Sequence, residues 1–302
     1  MKLPLALILS LAAAPAFAAE VNAVASFSIL GDMLARVGGD RVEITTLVGP
    51  DADSHVYQPK PSDAAAVAGA DIFFVNGLGF EGWMDRLVEA TGYAGPLVAV
   101  SNGIKAREMP EHDHDDHDGH DDHDHGATDP HAWQNAANGA IYARNIARGL
   151  CTVDAAGCDT YTANAEAYAG EIEALHAEIK ERLAAIPEAR RKVITNHDAF
   201  GYFGDAYGVT FLAPEGISTD AEPSAADVAK LIIQIKSEDV SAIFLENMTD
   251  SRLLQQIADE TGVAVGGELY SDALSASDGP APTYLDMLRY NVGLLIPAME
   301  GQ

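Results

Sequence analysis

The chain has 302 residues, 48% of them hydrophobic, and its 46 acidic against 18 basic side chains give a formal net charge of -28. Such a charge repels nucleic acid and anionic membrane surfaces, which excludes both as partners, and it raises the local concentration of cations. Cationic partners fit best.

Met1 and Lys2 precede an apolar stretch from Leu3 to Ala14, and Pro15, Ala16, Phe17, Ala18 and Ala19 follow it. A charged start, a short apolar core and an A-x-A pattern predict a secretory signal peptide over residues 1–18. The stretch falls short of the roughly 20 residues that span a bilayer, and no later segment is long and apolar enough to do so. Cleavage after Ala18 leaves no cysteine at the new N-terminus, so the expected product is soluble in the periplasm and carries no lipid anchor. The remaining length, about 280 residues, accommodates two α/β domains or one large one.

From Val21, short β-rich runs alternate with helical ones: VNAVASF then SILGDMLARVGG, VEITTLV then DAAAVAGA, DIFFVNG then EGWMDRLVEATG, and LVAVS. A helix around Asn135 to Leu150 and another from Asp159 to Ala185 come next, the latter rich in Ala, Glu and Leu and ending before Pro187. A second alternating series begins near Arg191 with KVITN, a helix through Phe203, VTFLAP, and the helix AADVAKLIIQIKSED. It continues with SAIFLEN, the helix DSRLLQQIADETG, VAVGGEL and a last helix to Met299. The pattern predicts an α/β protein with two doubly wound parallel-sheet lobes joined by a long rigid helix, and a cleft between the lobes facing the carboxyl ends of both sheets. The expected division is an N-terminal lobe over 19–135, connecting helices over 136–189 and a C-terminal lobe over 190–302. Cys151 and Cys158 stand close together in a compartment that permits disulfides, so they are expected to pair; no histidine lies near them to complete a thiolate metal site.

Six of the ten histidines, His112, His114, His117, His120, His123 and His125, fall in one acidic run from Glu111 to His125. That run cannot build a core and is expected to be a flexible loop that captures transition metal weakly, a few residues at a time; an inert solvated tether is the alternative. Of the other four, His176 sits inside the second long helix and is read as structural. His55 follows the strand VEITTLV, His131 ends the loop after LVAVS, and the strand VIT leads directly to Asn196 and His197. Asp272 lies just past VAVGGEL and reaches the same sheet edges from the second lobe. Three neutral imidazoles and one carboxylate suit Zn²⁺, whereas manganese prefers more oxygen. For any one of these histidines an ordinary core or surface role is the competing reading. Glu246 ends the strand SAIFLE and is placed to support a ligand histidine, since zinc imidazoles usually need a hydrogen-bond partner behind them; a surface carboxylate is the alternative.

Gly77, Gly79 and Gly82 spell G-x-G-x-x-G between a strand and a helix, but no acidic residue stands near Ser101 and Asn102, where a ribose-binding carboxylate would be needed. A nucleotide site is therefore not expected. Neither H-E-x-x-H nor G-x-S-x-G is present, and four protein ligands leave no open position for a catalytic water, which disfavours a zinc hydrolase.

Taken together, DADSHVYQPKPSD, TDPHAW, ITNHDAFGYFGDAYG and LYSDALS resemble the metal-binding proteins of bacterial ABC importers, the cluster A-I (cluster 9) group, and within it zinc members of the ZnuA and AztC type. The resemblance covers nearly the whole mature chain and includes NGLGFEGW, which accounts for the glycine triplet. It implies one metal between the lobes at His55, His131, His197 and Asp272, a zinc-delivery role and no enzymatic activity. The implied partner is an importer permease in the inner membrane, with a periplasmic zinc metallochaperone as a further candidate, and a monomer is expected. An acidic histidine-rich insertion before the second ligand resembles zinc members, and manganese relatives typically carry a carboxylate where His197 stands. Ser54 and Gln58 depart from the proline and glutamate frequent in the family. Storage or sequestration of zinc is the alternative function.

Overall fold

The computed structural model describes residues 20–108, 128–220 and 223–301. The predicted signal peptide and the histidine run from Glu111 to His125 lie outside these residues.

In chain order the first half comprises β1 (Val21–Phe27), α1 (Ser28–Gly38), β2 (Val42–Val48), α2 (Pro61–Ala68), β3 (Ile72–Val75), α3 (Met84–Thr91) and β4 (Leu97–Ala99). A hairpin of β5 (Arg107–Glu108) and β6 (Thr128–Asp129) precedes two long helices, α4 (Ala136–Val153) and α5 (Cys158–Ala184). The second half runs β7 (Lys192–Ile194), α6 (Gly201–Tyr207), β8 (Thr210–Leu212), α7 (Ala225–Ser237), β9 (Ala242–Glu246), α8 (Arg252–Thr261), β10 (Val265–Leu269) and α9 (Tyr284–Glu300).

Strands β1 and β3 are buried almost throughout, as inner strands covered by helices on both faces must be. Strand β2 exposes Glu43 and Thr45 because it forms the sheet edge. Both main sheets are wholly parallel, and their orders are β2-β1-β3-β4 and β8-β7-β9-β10. Numbered within its own half, each sheet thus reads second, first, third, fourth. The order reverses between the first and third strands, and the crevice beyond their carboxyl ends is where such sheets bind ligands.

Helix α5 has 27 residues, about 40 Å at 1.5 Å per residue. Tyr161, Ala165, Tyr168, Ala169, Ile172, Ile179 and Leu183 recur at helical spacing and are all buried, so one stripe of the helix faces inward. That stripe packs on α4, on α1 from the first half and on α6 and α9 from the second. One apolar cluster, containing Phe27, Phe74, Trp133, Tyr142, Phe203 and Tyr284, spans both halves; a smaller one around Ile194, Ile235, Ile243, Leu254 and Ile257 fills the second half. Backbone contacts add to the bridge: Tyr284 N donates to Asp32 Oδ2 at 2.9 Å and Asp51 N to the Leu274 carbonyl at 2.9 Å. Among the described residues no helix is long and apolar enough to cross a membrane.

The α/β reading holds, and β1 and β2 coincide with VNAVASF and VEITTLV. Helix α2 begins at Pro61, ahead of the predicted run, because proline already has the backbone φ of a first helical turn. The β5–β6 hairpin, absent from the sequence reading, consists of two-residue strands too short to show any alternation. Cys151 and Cys158 are joined by a disulfide that staples the end of α4 to the start of α5. In the chain-entropy treatment a loop this short contributes about 2.5 kcal/mol. The double variant Cys151→Ser/Cys158→Ser is expected to lose stability of that order, read from the shift of its denaturant midpoint at unchanged slope.

Candidate metal centre

Each of the four predicted ligand positions lies beyond the carboxyl end of a strand. His55 is in the loop after β2, His131 two residues after β6, His197 three residues after β7 and Asp272 three residues after β10. The structure brings all four together: one nitrogen or oxygen from each lies within 4.8 Å of the others. Asp272 Oδ2 is 3.1 Å from His55 Nε2 and 3.1 Å from His197 Nε2, and His131 Nε2 is 3.4 Å from His55 Nε2. His131, His197 and Asp272 are fully buried and the His55 side chain is 5% exposed.

Local backbone chemistry fixes these side chains. Asp53 and Asp129 each stand two residues before a candidate histidine, and each turns its carboxylate back to that histidine's backbone N–H, at 2.8 Å for His55 and 2.9 Å for His131. This is the Asx turn, in which an aspartate side chain substitutes for a backbone acceptor. Asp129 Oδ1 also lies 2.9 Å from His131 Nδ1, leaving Nε2 to face the centre. The third histidine uses a partner distant in sequence: Glu246, at the end of β9, accepts from His197 N at 2.9 Å, and its other oxygen sits 2.7 Å from His197 Nδ1. Every candidate histidine therefore gives its backbone N–H to a carboxylate. Imidazole nitrogens turned away from a metal are usually paired in this way, which orients the ring and raises its basicity.

Aromatic groups close the surroundings. The Phe80 ring packs 5.0 Å from His55 and 6.0 Å from His131, and Trp133 lies 5.3 Å from His131. Trp83 Nε1 donates to the Ser54 carbonyl at 2.9 Å, and Trp133 Nε1 and Gln134 Nε2 donate to the Ser271 carbonyl at 2.9 Å and 2.7 Å. The residues just ahead of His55 and Asp272 are thus fixed by indole and amide donors.

Burial pulls the His131 and His197 imidazoles toward the neutral form, but the facing carboxylates outweigh it. Asp272 and Asp129 raise His131 from its ordinary 6.5 to about 9. Glu246 and Asp272 hold His197 well above the usual histidine range. Burial raises Asp272, yet His131 and His197 together bring it well below the usual carboxylate range.

The donor set fits a divalent cation. Asp272 Oδ1 is fully buried without a hydrogen-bond partner among the described residues, since His131 Nε2 at 3.6 Å is too distant to donate. Such an oxygen is costly unless a cation or donor meets it. His176 is apart from this cluster, its Nδ1 3.0 Å from the Tyr207 hydroxyl. Asp53 and Asp129 were not singled out from the sequence, although the repeated D-x-H spacing in DADSHV and TDPHAW carries the signal.

The family model described as "Zinc-uptake complex component A periplasmic" matches residues 23–298. The chain belongs to this family. It is 34% identical over 277 residues to the manganese-binding lipoprotein MntA of Halalkalibacterium halodurans, covering 92% of this chain and 88% of that protein. To the iron ABC transporter substrate-binding lipoprotein MtsA of Streptococcus pyogenes it is 30% identical over 279 residues, covering 90% and 87%. The periplasmic zinc-binding protein TroA of Treponema pallidum superposes with a TM-score of 0.84 at 26% identity, over 93% of this chain and 99% of that one. The chain is thus a periplasmic metal-binding component of an ABC importer, not an enzyme, and its fold is the two-lobed parallel-sheet architecture of these proteins. One expectation is corrected. MntA and MtsA are both named lipoproteins, which overturns the reading of a product without a lipid anchor; that reading rested on a single short processing pattern.

Metal can displace protons only where imidazoles hold them. The facing carboxylates raise His131 to about 9 and His197 well above its ordinary range, so divalent-ion affinity is expected to rise with pH from acid solution through neutrality toward about 9. Titration calorimetry at neutral pH in buffers of different ionisation enthalpy should show net proton release, and zero release would contradict the assignment. Replacing Glu246 by alanine is expected to weaken metal binding about 10–100-fold, measured by chelator competition.

Proposed function

We propose that this importer component captures Zn²⁺ through His55, His131, His197 and Asp272 and delivers it to the membrane permease. The observation that carries this reading is the donor set: three imidazole nitrogens converging on a carboxylate that retains one unpartnered oxygen. Zn²⁺ accepts nitrogen and oxygen ligands at about 2.0–2.2 Å in a tetrahedron, whereas harder ions favour oxygen-rich, higher-coordinate sites. Relatives named for manganese, iron and zinc all align along most of the chain, so the choice of metal rests on the ligands and not on the fold.

Two candidate ligands come from each half of the chain, His55 and His131 from the first and His197 and Asp272 from the second. Binding draws the halves together, and release to the permease follows when one pair withdraws. The cargo undergoes no chemistry. The protein's work is to desolvate the ion, replace its water with fixed ligands, and let it go.

Affinity alone does not decide the metal, because zinc binds most nitrogen sites more tightly than manganese or iron does. The test is therefore made at two levels. Metal-stripped protein is titrated with zinc and with manganese against a chelator, beside the triple alanine variant at His55, His131 and His197 and a His197→Asp variant. The triple variant is expected to lose the tight site, and His197→Asp to narrow the preference for zinc over manganese. In cells, deletion of the chain is expected to abolish high-affinity zinc uptake; loss of manganese uptake with zinc uptake intact would overturn the reading.

A further inference from the structure

Among the described residues outside the four candidate ligands, Arg107 stands in direct line with one of them, His131. Arg107 on β5 is paired across the hairpin with Asp129 on β6, and this register places the two side chains next to each other. Arg107 Nη1 donates to Asp129 Oδ2 at 3.2 Å, while the other oxygen of the same carboxylate takes His131 N and Nδ1 at 2.9 Å each. Asp129 is fully buried. Arg107 also reaches the second half of the chain: its Nε donates to Asp205 Oδ2 at 3.2 Å and its backbone N to the Tyr202 hydroxyl at 2.8 Å, both on α6.

The start of α6 is shaped around this contact. Gly201 comes so close that a Cβ there would lie 2.4 Å from Arg107 Nη1 and 2.7 Å from Asp129 Oδ2. Two features independent of each other, a cross-strand register and a glycine at the helix start, thus converge on the same ion pair.

We propose that Arg107 is a positioning residue for metal binding, fixing Asp129 so that His131 presents Nε2 to the ion and so setting how long the ion stays bound. The proposal rests on His131 being a ligand. A guanidinium fits this task better than an ammonium because its planar fork can hold Asp129 with one nitrogen and Asp205 with another. Without it, Asp129 Oδ2 loses this cation, and the orientation in which Oδ1 holds both His131 N and Nδ1 is less firmly fixed. Asp205, 69% exposed, is the dispensable end of the chain of contacts.

The test uses the full mature chain loaded with zinc, with release followed by stopped-flow transfer to a chromophoric chelator, and with Co²⁺ as a spectroscopic probe of coordination. Arg107→Met is expected to speed release about 10-fold, the low end for groups that support a metal ligand. Its Co²⁺ spectrum should keep the intensity of a four-coordinate site, because no ligand has been removed. Arg107→Lys should restore part of the effect, and Asp205→Ala should release zinc at close to the original rate. Gly201→Ala, which leaves every charge in place but crowds the pair, should speed release as Arg107→Met does, and it stands in if that variant fails to fold. Unchanged release in folded Arg107→Met or Gly201→Ala would overturn the proposal. His131→Ala separates the two levels: retained tight binding there would remove the ligand assignment and the proposal with it. Lost binding in His131→Ala beside unchanged release in Arg107→Met would remove the proposal alone.

Discussion

Three imidazoles and a carboxylate crowded into one dry space would repel, twist away or draw in water if nothing behind them were fixed. Here the constraint is met by carboxylates set behind the rings, two of them, Asp129 and Glu246, buried. Asp53, Asp129 and Glu246 each accept the backbone N–H of one histidine, so ring position is set at the main chain before any side-chain rotamer is chosen. Two of the three also face the Nδ1 of the same ring, which reserves Nε2 for the centre. Much of the surrounding structure serves this arrangement: strand ends deliver the carboxylates, and indole donors pin the residues ahead of His55 and Asp272. A site organised before the ion arrives spends less of the binding free energy on ordering its own parts.

The acids that orient the histidines also set the electrostatics of the site. Buried carboxylates at ion-pair distance push His131 and His197 toward the protonated form, and these rings in turn push Asp272 toward the ionised form. An arriving divalent cation must displace the protons that these carboxylates favour on the rings. Proton binding and affinity for the ion are thus two sides of one exchange.

Much of this was legible in the sequence, and what was not has a physical reason. Long apolar strands such as VNAVASF announced themselves because inner parallel strands must be apolar on both faces, and α5 was evident from its Ala, Glu and Leu content and the proline beyond its end. The four clustered residues could be picked out because chemistry in such folds gathers at strand ends. Glu246 was legible by the same rule. Asp53 and Asp129 were not, since an aspartate two residues before a histidine looks like any loop aspartate until the turn it makes is seen. Arg107 was further from reach: its role depends on a cross-strand register between two-residue strands, and a pairing that short leaves no periodic trace. Metal identity is the least legible property, because one scaffold serves relatives named for three different metals.

The way the halves are joined constrains how an ion can leave. Both sheets repeat the same strand order and face their switch points toward each other, so each half brings two of the four clustered groups. Yet the halves do not have separate interiors. One apolar cluster runs through both, with Trp133 two residues from His131 and Tyr284 hydrogen-bonded to the Trp133 carbonyl, and α5 packs along elements of each half. A wide swing would tear that shared core and expose large aromatic surface at about 25 cal/mol per Å². Coordination is far less tolerant of distance: a bond of about 2 Å is lost when a ligand retreats by an ångström or so. On the proposed reading, release therefore needs only a small shear of one half against the other, of the kind that packed interfaces accommodate by sliding, and it would be governed by groups bridging the halves close to the candidate ligands.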